Sequence, residues 1–333
     1  MYRLVALLLS VLLVLTACST ATHNNQETNT PTTNETEGTT VPEIVIHPDR
    51  VNCTVPTENV EGTYIYKCIG NRKLPIIYYP PTKQVYEKAP VVMLICGGGF
   101  VECTVEWPLE WHVSEVSKLR AAGFAVASVD YRVRDEGVNI LQVYSDIADS
   151  MRYLSYYSDV FNIDPNKIVT SGHSAGGAAA LAMAYIDNRT FDEEKYWPEA
   201  DYKVVGAFAM SHSGTLEKTD YGTYNGYASL GIQTNTSLYV NDEIRKLASP
   251  INHLDANDPP CKIIMGDMDE VVSPISVQKF KEACDAAGVS CELVWIKNAG
   301  HVYDSMNGEQ VWPRFSAQKA KLVDFAISCV TPQ

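Results

Sequence analysis

The chain has 333 residues, 46% of them hydrophobic and 20% charged, enough apolar material for one large α/β domain or two small ones. Such a composition excludes a disordered or collagen-like protein. Forty acidic against 26 basic side chains give a net charge of −14, which argues against nucleic acid as a partner, because phosphate binding needs a cationic face.

Residues 1–17, MYRLVALLLSVLLVLTA, carry one cation, Arg3, then a long apolar run and small residues ahead of Cys18. At ~1.5 Å per residue the run is too short to span a bilayer comfortably, and its pattern is that of a secretory signal peptide. Leu15-Thr16-Ala17-Cys18 resembles the lipobox of bacterial lipoproteins. That resemblance implies cleavage before Cys18, a lipid on that residue and export to the cell surface or periplasm, with the membrane touched through the lipid alone. Simple secretion with cleavage nearby is the alternative. Residues 18–41 are rich in Thr, Asn and Glu and lack the apolar side chains that offset ordering entropy, so they read as a flexible tether. Residues 42–333 are assigned to one catalytic domain.

Eight further cysteines remain: Cys53, Cys68, Cys96, Cys103, Cys261, Cys284, Cys291 and Cys329. Export makes disulfides permissible. Cys261 and Cys291 each open an apolar strand-like run, which sets them side by side on neighbouring strands, and Cys53–Cys68 is a second plausible bridge. Free buried cysteines are the alternative. No Cys-x-x-Cys pair is present, which argues against zinc.

Between Thr63 and Tyr79, TYIYKC and KLPIIYY read as a β-hairpin. Six apolar runs follow: 91–96, 124–129, 167–171, 204–210, 261–265 and 291–296. Helical patterns separate them at 108–122, 140–158, 175–186, 274–287 and 311–328. Near-continuous apolar strands alternating with helices predict an α/β fold, a mainly parallel eight-stranded sheet with helices on both faces. Two long connections, 187–203 and 211–258, hold Tyr196, Trp197, Tyr202, Tyr221, Tyr224, Tyr227 and Tyr239. They read as lid-like insertions or as aromatic packing against the body.

The sharpest chemical signal is Gly172-His173-Ser174-Ala175-Gly176, directly after the strand KIVT and before a small-residue helix. Gly-x-Ser-x-Gly in that context places a serine hydroxyl on a strained strand-to-helix turn, at a helix N-terminus that favours negative charge. An activated serine needs a general base and a carboxylate to orient it. After the strand CKIIM the chain offers Asp267, Asp269 and Glu270, and after CELVWI it offers His301 in the loop Asn-Ala-Gly-His. Gly97-Gly98-Gly99 after VVMLIC supplies backbone amides free of side chains, suited to an oxyanion hole. A phosphate loop is excluded there, since no Gly-Lys-Ser/Thr follows.

Together with Asp130-Tyr131-Arg132 and the helix containing Asp146 and Tyr153, these motifs resemble the α/β-hydrolase superfamily over about residues 60–330. Within it the chain is similar to the esterase branch, hormone-sensitive-lipase-like and carbohydrate-esterase-like. The resemblance implies Ser174 as nucleophile, His301 as base and Asp269, at the acid position of Gly-x-x-Asp-x-x-Val, as its orienting carboxylate. It implies Gly98, Gly99 and Ala175 as oxyanion donors, Tyr131 and Arg132 as supports of the oxyanion loop, and no metal or organic cofactor. Cys96 stands where the lipase-like members carry histidine, a departure that leaves a hole built from backbone amides intact. His212, at a strand end, is a candidate for the pocket wall. The expected activity is hydrolysis of acetyl or feruloyl esters on extracellular carbohydrate or its oligosaccharides. General short-chain carboxylester hydrolysis, a prolyl-oligopeptidase-like peptidase and a non-catalytic binding module are the alternatives.

Overall fold

Alternating bulk along Gly62–Ile69 and Arg72–Tyr79 makes an antiparallel pair, β1 and β2, that turns Tyr66, Leu74, Ile76 and Tyr78 into the interior of the computed structural model. The structure describes residues 48–194, 196–216 and 242–331. The signal segment, Cys18, the tether, and Tyr221, Tyr224, Tyr227 and Tyr239 lie outside the described residues.

The apolar runs form β3 (Ala89–Ile95), β4 (Ala125–Val129), β5 (Ile163–His173), β6 (Val204–Met210), β7 (Cys261–Gly266) and β8 (Cys291–Ile296). They assemble into one eight-stranded sheet of order β1-β2-β4-β3-β5-β6-β7-β8. All pairings from β4 to β8 are parallel; β1–β2 and β2–β4 are antiparallel. The sheet is thus the expected α/β one.

A strand buried on both faces needs cover on both. Val91, Met93 and Ile95 of β3 face one core, and Val92 and Leu94 face another. The first core is closed by α3 (Ile140–Tyr156) and α5 (Ala175–Tyr185), the second by α2 (Val113–Ala121) and α9 (Lys321–Val330). Along β6 and β7 a third cluster is closed by α7 (Pro274–Ala287). Short helices α1 (Trp107–Trp111), α4 (Ser158–Phe161), α6 (Asp242–Leu247) and α8 (Phe315–Lys319) complete the set among the described residues. No helix among them is long and apolar enough to cross a membrane.

Two helices differ from the sequence expectation. The stretch 108–122 breaks at His112, whose backbone leaves helical torsions (φ −113°, ψ 22°) while its ring is buried beside Glu115. The stretch 311–328 becomes helical only from Phe315. Pro313 disfavours helix at the residue before it, and Trp312 instead bridges to Lys297.

The connection 187–203 packs against the body rather than over a cleft. Tyr196 and Trp197 are fully buried, the indole N–H donates to the Tyr66 carbonyl at 2.8 Å, and Arg50 lies 3.8 Å over the Trp197 ring. Of the connection 211–258, residues 217–241 lie outside the described residues.

Candidate active site

Three loops leave the C-terminal ends of parallel strands on one side of the sheet, the side where open α/β sheets bind ligands. The first carries Ser174. Its backbone lies at φ 56° and ψ −121°, a left-handed-side conformation that a serine adopts only where its surroundings enforce it. Close packing does so here. A Cβ on Gly172 would stand 2.4 Å from the Gly176 backbone, and one on Gly176 would stand 2.2 Å from the Ile95 carbonyl oxygen. Only glycines let β5 turn into α5 this tightly. Ala175, the next residue, opens α5, where the first N–H groups have no partner within the helix.

The second and third loops follow β7 and β8. His301 Nε2 lies 2.9 Å from Ser174 Oγ, and His301 Nδ1 lies 2.9 and 3.1 Å from the two carboxylate oxygens of Asp269. Because a carboxylate only accepts, Nδ1 carries the proton and Nε2 presents its lone pair to the serine hydroxyl. Asp269 Oδ1 also accepts the N–H groups of Val271 and Val272, each at 2.8 Å, so its carboxylate is fixed before it meets the imidazole.

The structure separates the three acids that the sequence left together. Asp267 turns away and accepts the Asn298 N–H at 2.7 Å, fastening the loop after β8. Glu270 accepts the backbone N–H of His301 at 3.2 Å. Asp269 alone of the three contacts the imidazole ring nitrogen.

The glycine triplet lines the same cleft. Gly97 lies so near Ser174 that a Cβ there would stand 3.8 Å from Ser174 Cβ, and Gly98 and Gly99 both adopt positive φ (88° and 63°). Tyr131 fixes this loop from behind, its hydroxyl donating to the carbonyls of Cys96 at 2.7 Å and Gly97 at 3.0 Å. Arg132 acts one step further back, gripping Asp146 of α3 through Nε and Nη2, both at 2.8 Å. Lys67 joins the same carboxylate at 2.9 Å and Asp149 at 2.7 Å. These buried pairs tie β1, the turn after β4 and α3 together behind the glycine loop.

His212 is not in the cleft. It is fully buried, its Nδ1 accepts the Gly214 N–H at 3.0 Å, and burial drives its pKa down to about 3. His173, by contrast, reaches the site: its Nε2 lies 2.9 Å from the His301 carbonyl and its ring 4.6 Å from Trp111. Burial lowers its pKa to about 4, with His301 adding to the shift.

The cleft over Ser174 has a volume of about 760 Å³. One wall is Trp107 and Trp111, one helical turn apart on α1 and 44% and 36% exposed, which the helix pattern at 108–122 did not single out. Glu102 and Glu110 also line it, and no Lys or Arg is among the described residues lining the cleft. A Trp-x-x-x-Trp spacing directly after the glycine loop was the available signal.

Cys261 and Cys291 are register partners on β7 and β8, as their positions at the strand starts predicted. Their sulfurs and that of Cys284 lie within 4.8 Å of one another, and all are thiols.

The sequence profile of the BD-FAE family matches residues 76–284. Among curated proteins, Esterase LipC of Mycobacterium tuberculosis is 26% identical over 245 residues, covering 70% of this chain and 57% of its own length. A probable isoprenylcysteine alpha-carbonyl methylesterase of Arabidopsis thaliana is 25% identical over 235 residues, covering 68% and 53%. The chain therefore spans a little over half the length of these relatives. Among solved structures, Thermogutta terrifontis esterase 2 with propionate bound superposes with a TM-score of 0.63 at 22% identity, covering 82% of this chain and 96% of that one. The same esterase phosphonylated by sarin gives 0.64 at 22% identity, covering 82% and 97%. At that identity the likeness establishes the α/β-hydrolase fold.

Proposed function

The chain belongs to the BD-FAE family, and from that premise we propose that it is a serine hydrolase of carboxylic esters, acting on acetyl or feruloyl groups carried by carbohydrate. The observation that carries the ester chemistry is the unbroken line Asp269–His301–Ser174, with both contacts at hydrogen-bond distance.

Ser174 Oγ attacks the acyl carbonyl as its proton passes to His301 Nε2. Asp269 holds the imidazole in the required tautomer and stabilises the imidazolium that forms. The N–H groups of Gly98, Gly99 and Ala175 receive the developing oxyanion; preorganised donors of this kind are worth ~10²–10³ in rate each. His301 returns the proton to the departing alcohol. Water then repeats the sequence on the acyl-enzyme and frees Ser174. Every step uses side chains and backbone of this chain.

The carbohydrate half of the reading is supported by the Trp107–Trp111 wall. Two part-exposed indoles offer aromatic surface to a sugar ring, Glu102 and Glu110 offer acceptors to hydroxyls, and the lack of cations in the described lining disfavours an anionic alcohol. Export and membrane attachment through a lipid on Cys18 belong to the same proposal and rest on residues 1–18.

A fluorophosphonate probe should label the wild type and fail to label Ser174→Ala; a folded, unlabelled wild type would favour a binding module. Acetylated xylo-oligosaccharides, 4-nitrophenyl acetate and a prolyl-peptide amide then separate the classes. Trp107→Ala should raise KM for the oligosaccharide ester and leave 4-nitrophenyl acetate turnover nearly unchanged. Equal effects on both would reduce the reading to a general short-chain carboxylesterase, and cleavage of the amide alone would make it a peptidase.

A further inference from the structure

The oxyanion loop begins and ends on a cysteine. Cys96 closes β3 and is buried; Cys103 is half-buried on the far side of Gly97-Gly98-Gly99-Phe100-Val101-Glu102. Between them the chain doubles back: the Gly98 carbonyl accepts the N–H of Val101 at 3.0 Å and of Glu102 at 3.3 Å. That fold brings Cys103 Sγ to 3.9 Å from the carbonyl of Val129, the strand partner of Ile95 next to Cys96, and Thr104 N–H points at Cys96 Sγ from 3.4 Å, so the two thiols lie close together. Three consecutive residues inside the loop, Gly98, Gly99 and Phe100, have positive φ, a run that a free loop does not hold by itself. The thiol pair sits where a covalent tie would hold it.

We propose that Cys96 and Cys103 are a redox modification site, joined by a disulfide that closes the oxyanion loop into a ring and fixes its amides toward Ser174. The proposal deepens the ester-hydrolase reading and rests on it for its catalytic consequence; the bond itself does not. The oxidant is a disulfide, RSSR, of low molecular weight or on an oxidoreductase of the same compartment. Half-buried Cys103 takes one RS group as a mixed disulfide and releases one RSH. Cys96 then attacks Cys103 Sγ, the S–SR bond breaks and a second RSH leaves. Two protein thiols are oxidised and one RSSR is reduced. The proximity of the two thiols and the Thr104 N–H favour the thiolate at Cys96, the second attacker, while Cys103 is held as the thiol, so access rather than acidity makes Cys103 the point of entry.

The two cysteines act on the reaction through the glycine amides and are positioning residues. Relaxing the loop weakens donors without removing them, so reduction should lower kcat by about three- to tenfold, below the ~10²–10³ that loss of a donor costs, with KM nearly constant.

The full chain, treated either with oxidised glutathione or with dithiothreitol, is digested under acid and mapped by mass spectrometry. A linked Cys96–Cys103 peptide after oxidation is expected. Free thiols at both positions, or linkage of either to another cysteine, would overturn the proposal. Kinetics on 4-nitrophenyl acetate and the rate of fluorophosphonate labelling should both fall on reduction. Cys96→Ser/Cys103→Ser should match the reduced wild type and ignore dithiothreitol, while Cys53→Ser/Cys68→Ser should still respond. A redox response that survives in Cys96→Ser/Cys103→Ser would also overturn it. If no ester is turned over, the peptide map still decides the disulfide and the labelling rate still reports the loop, so failure of the esterase reading is seen separately.

Discussion

The backbone carbonyl of His301 is held from two sides, by Ser211 Oγ and by His173 Nε2, each at 2.9 Å. A carbonyl only accepts, so His173 is the Nε2–H tautomer, and its lowered pKa of about 4 keeps it neutral over the working range. The residue before Ser174 thereby orients the main chain of His301, 128 positions away in sequence.

His173→Ala removes that donor and the ring that packs on Trp111. We expect kcat to fall about tenfold, as the His301 loop loosens, with the fluorophosphonate still reacting slowly at Ser174. His173→Gln, which keeps an N–H near the same carbonyl, should recover part of the loss. Steady-state kinetics of both variants check this.

Asp269 and Asp267 are two residues apart but have separate tasks. Asp269→Asn keeps an oxygen for the Val271 and Val272 N–H groups and presents an amide N–H to His301 Nδ1, which reverses the tautomer. Loss of ~10⁴ in kcat is expected, with the melting temperature little changed. Asp267→Ala should leave kcat almost intact and cost about 1 kcal/mol of stability, the bond to Asn298 N–H. Equal kinetic losses in the two variants would contradict the geometry.

Tyr131→Phe removes one hydroxyl that serves two carbonyls of the glycine loop. It leaves the buried Cys96 carbonyl without that donor, at about 1–3 kcal/mol. A lowered kcat at nearly constant KM, with a melting temperature a few degrees down, is the expected pair of readouts. A change in KM alone would place Tyr131 in substrate binding instead.

Much of the fold was legible because its inner strands are buried on both faces and so read as unbroken apolar runs; 204–210 coincides with β6, and 291–296 with β8, a half-buried edge strand. Ser174 was legible because the turn's sterics demand glycines at Gly172 and Gly176. Other features had no local signal. The choice among Asp267, Asp269 and Glu270 depends on which side of one short loop each carboxylate faces. The role of His173 depends on a contact between two strand ends. The break at His112, which frees Trp107 and Trp111 to form a cleft wall, comes from burial of one imidazole inside a pattern that is otherwise helical.

Acid should weaken the fold through its buried histidines. His212 and His173 have folded pKa values of about 3 and about 4, lowered first by burial and then by the nearby His301, whereas in the unfolded chain each titrates near ~6.5. Between those limits the unfolded state binds protons that the folded state refuses, so stability falls as pH drops from about 6.5 toward 4, by about 1.4 kcal/mol per pH unit for each histidine. Glu115, lowered to about 2 against burial by its contacts with His112 and Lys319, adds its own loss only below its ordinary range near ~4.5. In the window from 6.5 to 4.5 the fall comes from these histidines and from His112, also lowered by burial, against the raised carboxyls of Asp130 and Asp258. His212→Asn retains an acceptor for the Gly214 N–H and removes one titrating group, so its melting temperature should fall less steeply than the wild type's across that window. Calorimetry at pH 7, 5.5 and 4.5 measures both slopes, and identical slopes would refute the assignment.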